Sequence, residues 1–186
     1  PLLKGFDMPL LIDIPILPKD VPHLDAVLIT HCDNDHYSRV TCSEMKDVCD
    51  EYHSTEYVAE LMKEEGLKAF GHKIKETFEI GPVKVTLTPA DHAWQNESSK
   101  HATRLFKFED YCGFWLETPD GTIWMPGDSR LLQEHLEMPV PDVILMDFSD
   151  SKWHIGLEGA VKLAEAYPNT PLLLLHWGTV DAPHMA

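Results

Sequence analysis

The sequence predicts an α/β or α+β sandwich, built on sheets with helices outside. Three observations carry this. Residues 143–148, 156–167 and 172–176 read as strand, helix and strand, which implies a parallel crossover. Two pairs of β-rich runs flank Gly81-Pro82 and Pro119-Asp120-Gly121 and read as hairpins. Ala26-Val27-Leu28-Ile29-Thr30 is a short, apolar, β-branched run of the kind that forms a buried strand. With 186 residues, no internal repeat, no low-complexity segment and no linker, the chain reads as one domain over residues 1–186.

The elements follow in order. Pro15, Pro18 and Pro22 punctuate the approach to the first strand. Thr41-Cys42-Ser43-Glu44 fits a capping box, which predicts a helix to about Glu51. Ser54 is expected to start a second helix, through 55–65, stopped by Gly66. Residues 77–80 and 83–88 form the first hairpin, and 113–118 and 122–125 the second. Residues 94–107 are polar and read as a flap over a site.

Composition excludes several function classes. Hydrophobic residues make up 44% and charged residues 25%, near globular averages, so disorder and collagen-like structure are not expected. No apolar run approaches the ~18–20 residues that span a bilayer, and Pro1-Leu2-Leu3-Lys4-Gly5 does not read as a signal peptide. Lys and Arg number 15 against 31 Asp and Glu, a formal charge of −16, which disfavours a partner with a phosphate backbone or an anionic membrane surface. Cys32, Cys42, Cys49 and Cys112 form no C-x-x-C pair and read as free thiols of a cytoplasmic protein. The abnormal count is histidine, at 11.

The densest chemistry is Thr30-His31-Cys32-Asp33-Asn34-Asp35-His36, directly after the first strand. His31, Asp33, Asp35 and His36 are four metal-ligand types in one short loop. A divalent ion takes four to six donors, and a loop at a strand end can turn several inward. One histidine beside an aspartate is ordinary in a polar loop; this packing is not.

This loop resembles the signature of the metallo-β-lactamase superfamily, H-x-H-x-D-H after a strand, with Asp33 where the family usually has histidine. Leu24-Asp25-Ala26-Val27-Leu28-Ile29-Thr30-His31 is most similar to the L-ascorbate-6-phosphate lactonase-like branch, related to the N-acyl-phosphatidylethanolamine phospholipase D type. Further matches follow in order: Pro89-Ala90-Asp91-His92, then Ile123-Trp124-Met125-Pro126-Gly127-Asp128-Ser129, then Leu174-Leu175-His176-Trp177-Gly178-Thr179. The resemblance implies a metallo-β-lactamase-like αββα sandwich. The family's two or three N-terminal strands are not found here, and it usually continues past the last histidine. The expectation is therefore a fold lacking part of the family's architecture, or part of a longer protein.

The resemblance also implies a ligand set. One metal takes His31, Asp33 and His92; the other takes Asp35, His36 and His176; Asp128 bridges. The pattern makes physical sense by itself. His31, His36, His92, Asp128 and His176 each sit at or just beyond the C-terminal end of an apolar strand, where open α/β sheets gather ligands. A dinuclear pair about 3.5–4 Å apart binds a bridging water. Asp33 exchanges a neutral nitrogen for a charged oxygen, which favours Mn²⁺ or Fe²⁺ relative to a pure zinc site, although zinc also accepts carboxylates.

Other residues leave alternatives open. His154, between a strand and a helix, reads equally as a substrate binder or proton shuttle and as a surface histidine at a helix start. Asp147 and Asp150 read as caps and turn residues. Arg104 and Lys107 are among the few cations placed to meet an anionic substrate, and His101 shares their loop, but a solvated loop is the favoured reading for each. His23, His53, His72, His135 and His184 read as structural or surface residues. Trp94 and Trp153 are candidates for a pocket wall.

The function expected is a metal-dependent hydrolase. It uses two divalent ions (Mn, Zn or Fe) and a bridging hydroxide to cleave an ester, lactone or phosphodiester of a small-molecule substrate. Asp35, Asp128 and His154 are the candidate catalytic residues. A di-iron oxidoreductase on the same fold is the alternative, without a visible flavin-binding segment. A non-catalytic metal-binding protein is the third reading. The substrate and the oligomeric state are not written in the sequence.

Overall fold

Two sheets organise residues 10–178, the part of the chain described by the computed structural model; Thr179 and His184 lie outside it. The described residues fall into two compact units, 10–72 with 176–178, and Lys73–Leu175.

In the first unit, β1 (Leu24–Leu28), β2 (Cys49–Thr55) and β3 (Ala69–His72) form a parallel three-stranded sheet. Val27 lies opposite Tyr52, and His53 opposite Phe70. Helix α1 (Arg39–Glu44) connects β1 to β2, and α2 (Glu56–Glu64) connects β2 to β3. The core is Ile29, Tyr52, Val58, Ala59, Met62 and their neighbours. Val58, Ala59 and Met62 lie at three- and four-residue spacing, so one face of α2 is wholly buried. Truncating Met62 there would cost about 2–5 kcal/mol.

The first helix differs from expectation. Its N-cap is Ser38, whose hydroxyl accepts from Thr41 N at 3.2 Å, and it ends at Glu44. Residues 49–51, expected to be helical, begin β2. Parallel pairing with β1 decides this: Leu24 faces Cys49 and Ala26 faces Glu51, and the ladder outweighs a capping-box pattern. β3 has no counterpart in the sequence reading, being only four residues long. The second helix is capped one residue later than expected, by Thr55 Oγ1 accepting from Val58 N at 3.5 Å. Ser54 instead donates to Ile29 O at 2.6 Å, tying β2 to the end of β1.

The second unit carries a six-stranded sheet in the order of the chain: β4 (Thr77–Ile80), β5 (Val83–Pro89), β6 (Cys112–Thr118), β7 (Gly121–Met125), β8 (Val143–Asp147) and β9 (Leu172–Leu175). β4 to β7 are antiparallel, and β7 to β9 are parallel. Both hairpins and the crossover through α3 (Gly156–Ala166) are therefore present as read from sequence. Trp115, Trp124, Ile144 and Met146 of the strands pack with Ala160, Leu163 and Tyr167.

Candidate metal centre

The first unit gathers its ligand types where β1 runs out. After β1 the chain passes through Ile29 and Thr30 into a turn closed by His36 N and Tyr37 N, both donating to Asp33 O. Thr30 Oγ1 lies 2.9 Å from His31 Nδ1 and 3.4 Å from His36 Nδ1, so one hydroxyl positions two imidazoles. His31 is buried, with its Nε2 3.4 Å from Asp33 Oδ2. The His31 and His36 rings are 4.1 Å apart, and His36 stacks with His176 at 5.7 Å. Asp35 Oδ2 lies 3.8 Å from His36 Nε2 and 3.6 Å from His176 Nε2. Burial alone would raise the Asp35 carboxyl, but His176 and the neighbouring His36 hold it below its ordinary value. Asp35, His36 and His176 can each bring a ligand atom within 4.8 Å of the other two. His176 has a positive φ of 57°, a conformation rare outside glycine. Such outliers concentrate at functional sites.

The second unit does the same at the ends of β5, β7 and β8. His92 is buried three residues beyond β5, and its Nδ1 lies 2.9 Å from Trp153 O. A carbonyl only accepts, so Nδ1 carries the proton and Nε2 keeps its lone pair for a ligand. Asp128 is buried three residues beyond β7. Gly127 before it has φ 74°, and a Cβ there would stand 2.6 Å from Cys112 O, so both the turn and the packing demand glycine. Ser129 Oγ accepts from Asp91 N at 2.8 Å, and Arg130 N donates to Asp91 O at 3.0 Å. These bonds clamp the His92 loop to the Asp128 loop. Buried His135 adds a third tie, with Nε2 2.9 Å from Pro89 O and Nδ1 3.3 Å from Leu132 N.

His154 completes this cluster. Its ring meets that of His92 edge-on at 4.7 Å, and its Nδ1 lies 3.9 Å from Asp128 Oδ2. The same Nδ1 lies 2.6 Å from Asp147 Oδ2, at the end of β8. His92, Asp128 and His154 can bring ligand atoms within 4.8 Å of one another. His154 is therefore no surface histidine, and Asp147 no simple turn residue. The sequence signal for Asp147, an apolar strand closing on a carboxylate with a histidine seven residues on, reads as readily as a cap.

Both sets suit a divalent transition metal. Each combines two imidazoles with one carboxylate, the donors taken by Zn²⁺, Mn²⁺ and Fe²⁺, and Thr30, Trp153 O and Asp147 orient His36, His92 and His154. Among the sequence candidates, Asp35, His36 and His176 meet in one unit, where Asp33 approaches His31. His92, Asp128 and His154 meet in the other. Arg104 follows neither the substrate-binding reading nor that of a solvated loop. Its guanidinium is bound by both oxygens of buried Asp110, at 2.6 and 2.9 Å, because that buried carboxylate requires a charge partner. Asn96 clasps Phe106 through two 2.8 Å bonds, so the expected flap is a tied loop around a cavity of about 310 Å³.

Residues 4–177 match the family model described as a beta-lactamase superfamily domain. No curated protein matches the chain. Solved structures do. One is isothiocyanate hydrolase from Delia radicum gut bacteria: 17% identity, TM-score 0.74, covering 95% of this chain and 72% of that one. A protein from Parabacteroides distasonis ATCC 8503 is 19% identical with TM-score 0.70, over 89% of this chain and 70% of that one. CmlA, a diiron β-hydroxylase from Streptomyces venezuelae, is 13% identical with TM-score 0.68, over 86% of this chain and 37% of that one. At these identities the likeness is one of fold.

Proposed function

The chain belongs to the beta-lactamase superfamily domain family, and from that premise we propose that it is a metal-dependent hydrolase of a small ester, lactone or phosphodiester. His31, Asp33, Asp35, His36, His92, Asp128 and His176 are the residues that would hold its ions, and Asp128 is our candidate for a carboxylate that two ions would share. The observation that carries the reading is the gathering of Asp35, His36 and His176 in one unit and of His92 and Asp128, with His154 beside them, in the other. When bound, divalent ions supply an activated water and a Lewis acid for the developing oxyanion.

The protein's own groups do the rest. Trp153 O holds the His92 ring so that Nε2 is the ligand atom. Asp147 holds His154, which carries a proton to the leaving group. The lactonase-like branch is our choice within the superfamily, on the Leu24–His31 match. Because Arg104 is committed to Asp110, we place an uncharged ester or lactone ahead of an anionic substrate. No described helix is long and apolar enough to cross a membrane. On its free thiols we assign the protein to the cytoplasm, as a single hydrolase domain.

A di-iron oxidoreductase is the second reading. It is favoured by the His92, Asp128 and His154 set, since two histidines and one carboxylate with open positions suit Fe²⁺. Metal analysis of the purified protein, then turnover of an ester, lactone and phosphodiester panel with Mn²⁺, Zn²⁺ or Fe²⁺, tests both. Hydrolysis by the Mn²⁺ or Zn²⁺ form supports the proposal. Oxygen consumption by the Fe²⁺ form, without hydrolysis by any form, overturns it.

A further inference from the structure

His92 is held between two pieces of chain in the second unit. One is its own loop after β5. The other is the loop over residues 148–155, between β8 and α3, whose Trp153 O accepts from His92 Nδ1 at 2.9 Å. The imidazole keeps Nε2 for a ligand only while that carbonyl stays in place. Arg130, two residues after Asp128, touches both pieces. Its Nε and Nη2 donate to Asp91 Oδ2 at 3.1 and 2.5 Å, and its backbone N donates to Asp91 O at 3.0 Å. The same guanidinium lies over the Trp153 ring, with Cζ 4.9 Å from the ring centre. Asp91 is the residue before His92, and Trp153 carries the carbonyl that His92 meets.

The side chains of Arg130 and Asp91 are 47% and 24% exposed, and an ion pair so open to solvent adds little to stability. What the arrangement uses is the shape of arginine. A planar fork pairs edge-on with a carboxylate while its face rests on an aromatic ring; the point charge of lysine does not do both. Lys152 also reaches the Trp153 ring, 5.2 Å from its centre. Its carboxylate partner, however, is Glu97, five residues beyond His92, and both side chains are more than half exposed. Of the two cations, Arg130 is the one anchored beside His92.

We propose that Arg130 is the positioning residue of His92: it clamps Asp91 to Trp153, so that Trp153 O stays on Nδ1 and Nε2 stays available as the ligand atom. The inference rests on the reading of His92 as a metal ligand, and adds a residue outside the ligand set. Its effect is specific to one side of the ring. Ser129 Oγ accepts from Asp91 N at 2.8 Å and donates to Arg130 O at 2.7 Å, and Arg130 N holds Asp91 O. Removing the Arg130 side chain leaves these ties in place, so the His92 and Asp128 loops stay joined. What loosens is the Trp153 carbonyl, and with it the hydrogen on Nδ1.

The test is histidine side-chain NMR of the full chain, with and without Zn²⁺, joined to calorimetry of Zn²⁺ binding. In the parent, His92 should show one protonated Nδ1 that exchanges slowly with solvent. Arg130→Met and Arg130→Lys, with unchanged circular dichroism, should both speed that exchange, and should weaken Zn²⁺ binding by about tenfold. Trp153→Leu keeps the carbonyl and removes the ring, and should give the same loss. The Arg130→Met, Trp153→Leu double variant should then lose no more than either single variant, because both act through one contact. Lys152→Met should leave His92 as in the parent. Parent-like exchange at His92 in both Arg130 variants would overturn the proposal, as would an equal change in Lys152→Met. The NMR readout needs neither metal nor turnover, so a chain that hydrolyses nothing would fail the hydrolase reading and leave this test decisive.

Discussion

His154 Nδ1 sits 2.6 Å from Asp147 Oδ2, and Asp147 is itself buried at the end of β8. The carboxylate therefore sets the tautomer and direction of the imidazole. Its place at a strand end, seven residues before the histidine, keeps that relation rigid.

If His154 moves a proton in the reaction, His154→Ala should lower kcat by about 10²–10⁴-fold on a substrate the parent cleaves. Asp147→Asn should cost a large part of that, because an amide can present its NH₂ to Nδ1 and favour the other tautomer. Metal content measured by mass spectrometry should be unchanged in Asp147→Asn. Equal kcat in both variants and the parent would remove His154 from the chemistry.

Asp33 stands where the superfamily usually has histidine, with its Oδ2 3.4 Å from His31 Nε2. Asp33→His replaces a charged oxygen donor with a neutral nitrogen. The variant should shift its preference from Mn²⁺ or Fe²⁺ toward Zn²⁺. Competition between Zn²⁺ and Mn²⁺, followed by metal analysis, reads this directly. The same ratio in variant and parent would place Asp33 outside the ligand set.

Asp128→Ala should remove one metal and nearly all hydrolysis while leaving the fold intact. Asp128 follows the strand and contributes nothing to the apolar core of its unit. Two unit charges about 4 Å apart interact by about 4 kcal/mol at an effective dielectric of 20, and dications repel more strongly, so losing the intervening carboxylate is costly for a metal pair. Two metals per chain with parent-level turnover would refute the bridging role.

β1 and the strands of the six-stranded sheet were legible because their signals are local, and Pro119-Asp120-Gly121 needs no tertiary context to announce a hairpin; β2 and β3, set by parallel pairing, were not. The ligand types were legible for a similar reason, since His92, Asp128 and His176 all follow apolar runs. Asp147 and His135 were not. A carboxylate after a strand is most often a cap, and only the fold shows that His154 returns to it. The helix expected to reach Glu51 failed for a physical reason of the same kind. A capping pattern is worth about 1 kcal/mol, and pairing along β1 from Leu24 to Leu28 outweighs it.

His135 gives a pH-dependent prediction away from the ligands. Its buried ring has both nitrogens engaged, and desolvation lowers its pKa below the ordinary 6.5, against a smaller raising effect of Pro89 O. Above pH 6.5 the ring is neutral in folded and unfolded chains alike, so its titration has no effect on stability. As pH falls below 6.5 the unfolded chain takes up a proton that the folded chain refuses. Stability is then lost, by up to about 1.4 kcal/mol per pH unit, until the folded pKa is reached. His135→Phe leaves Pro89 O and Leu132 N without this partner and should cost about 1–3 kcal/mol at pH 7. The same variant should lose less further stability than the parent between pH 7 and pH 5, because the titrating group is gone. Urea unfolding at both pH values measures the two differences. Parallel losses in parent and variant would show that His135 takes up its proton alike in the folded and unfolded chains, and would refute the lowering by burial.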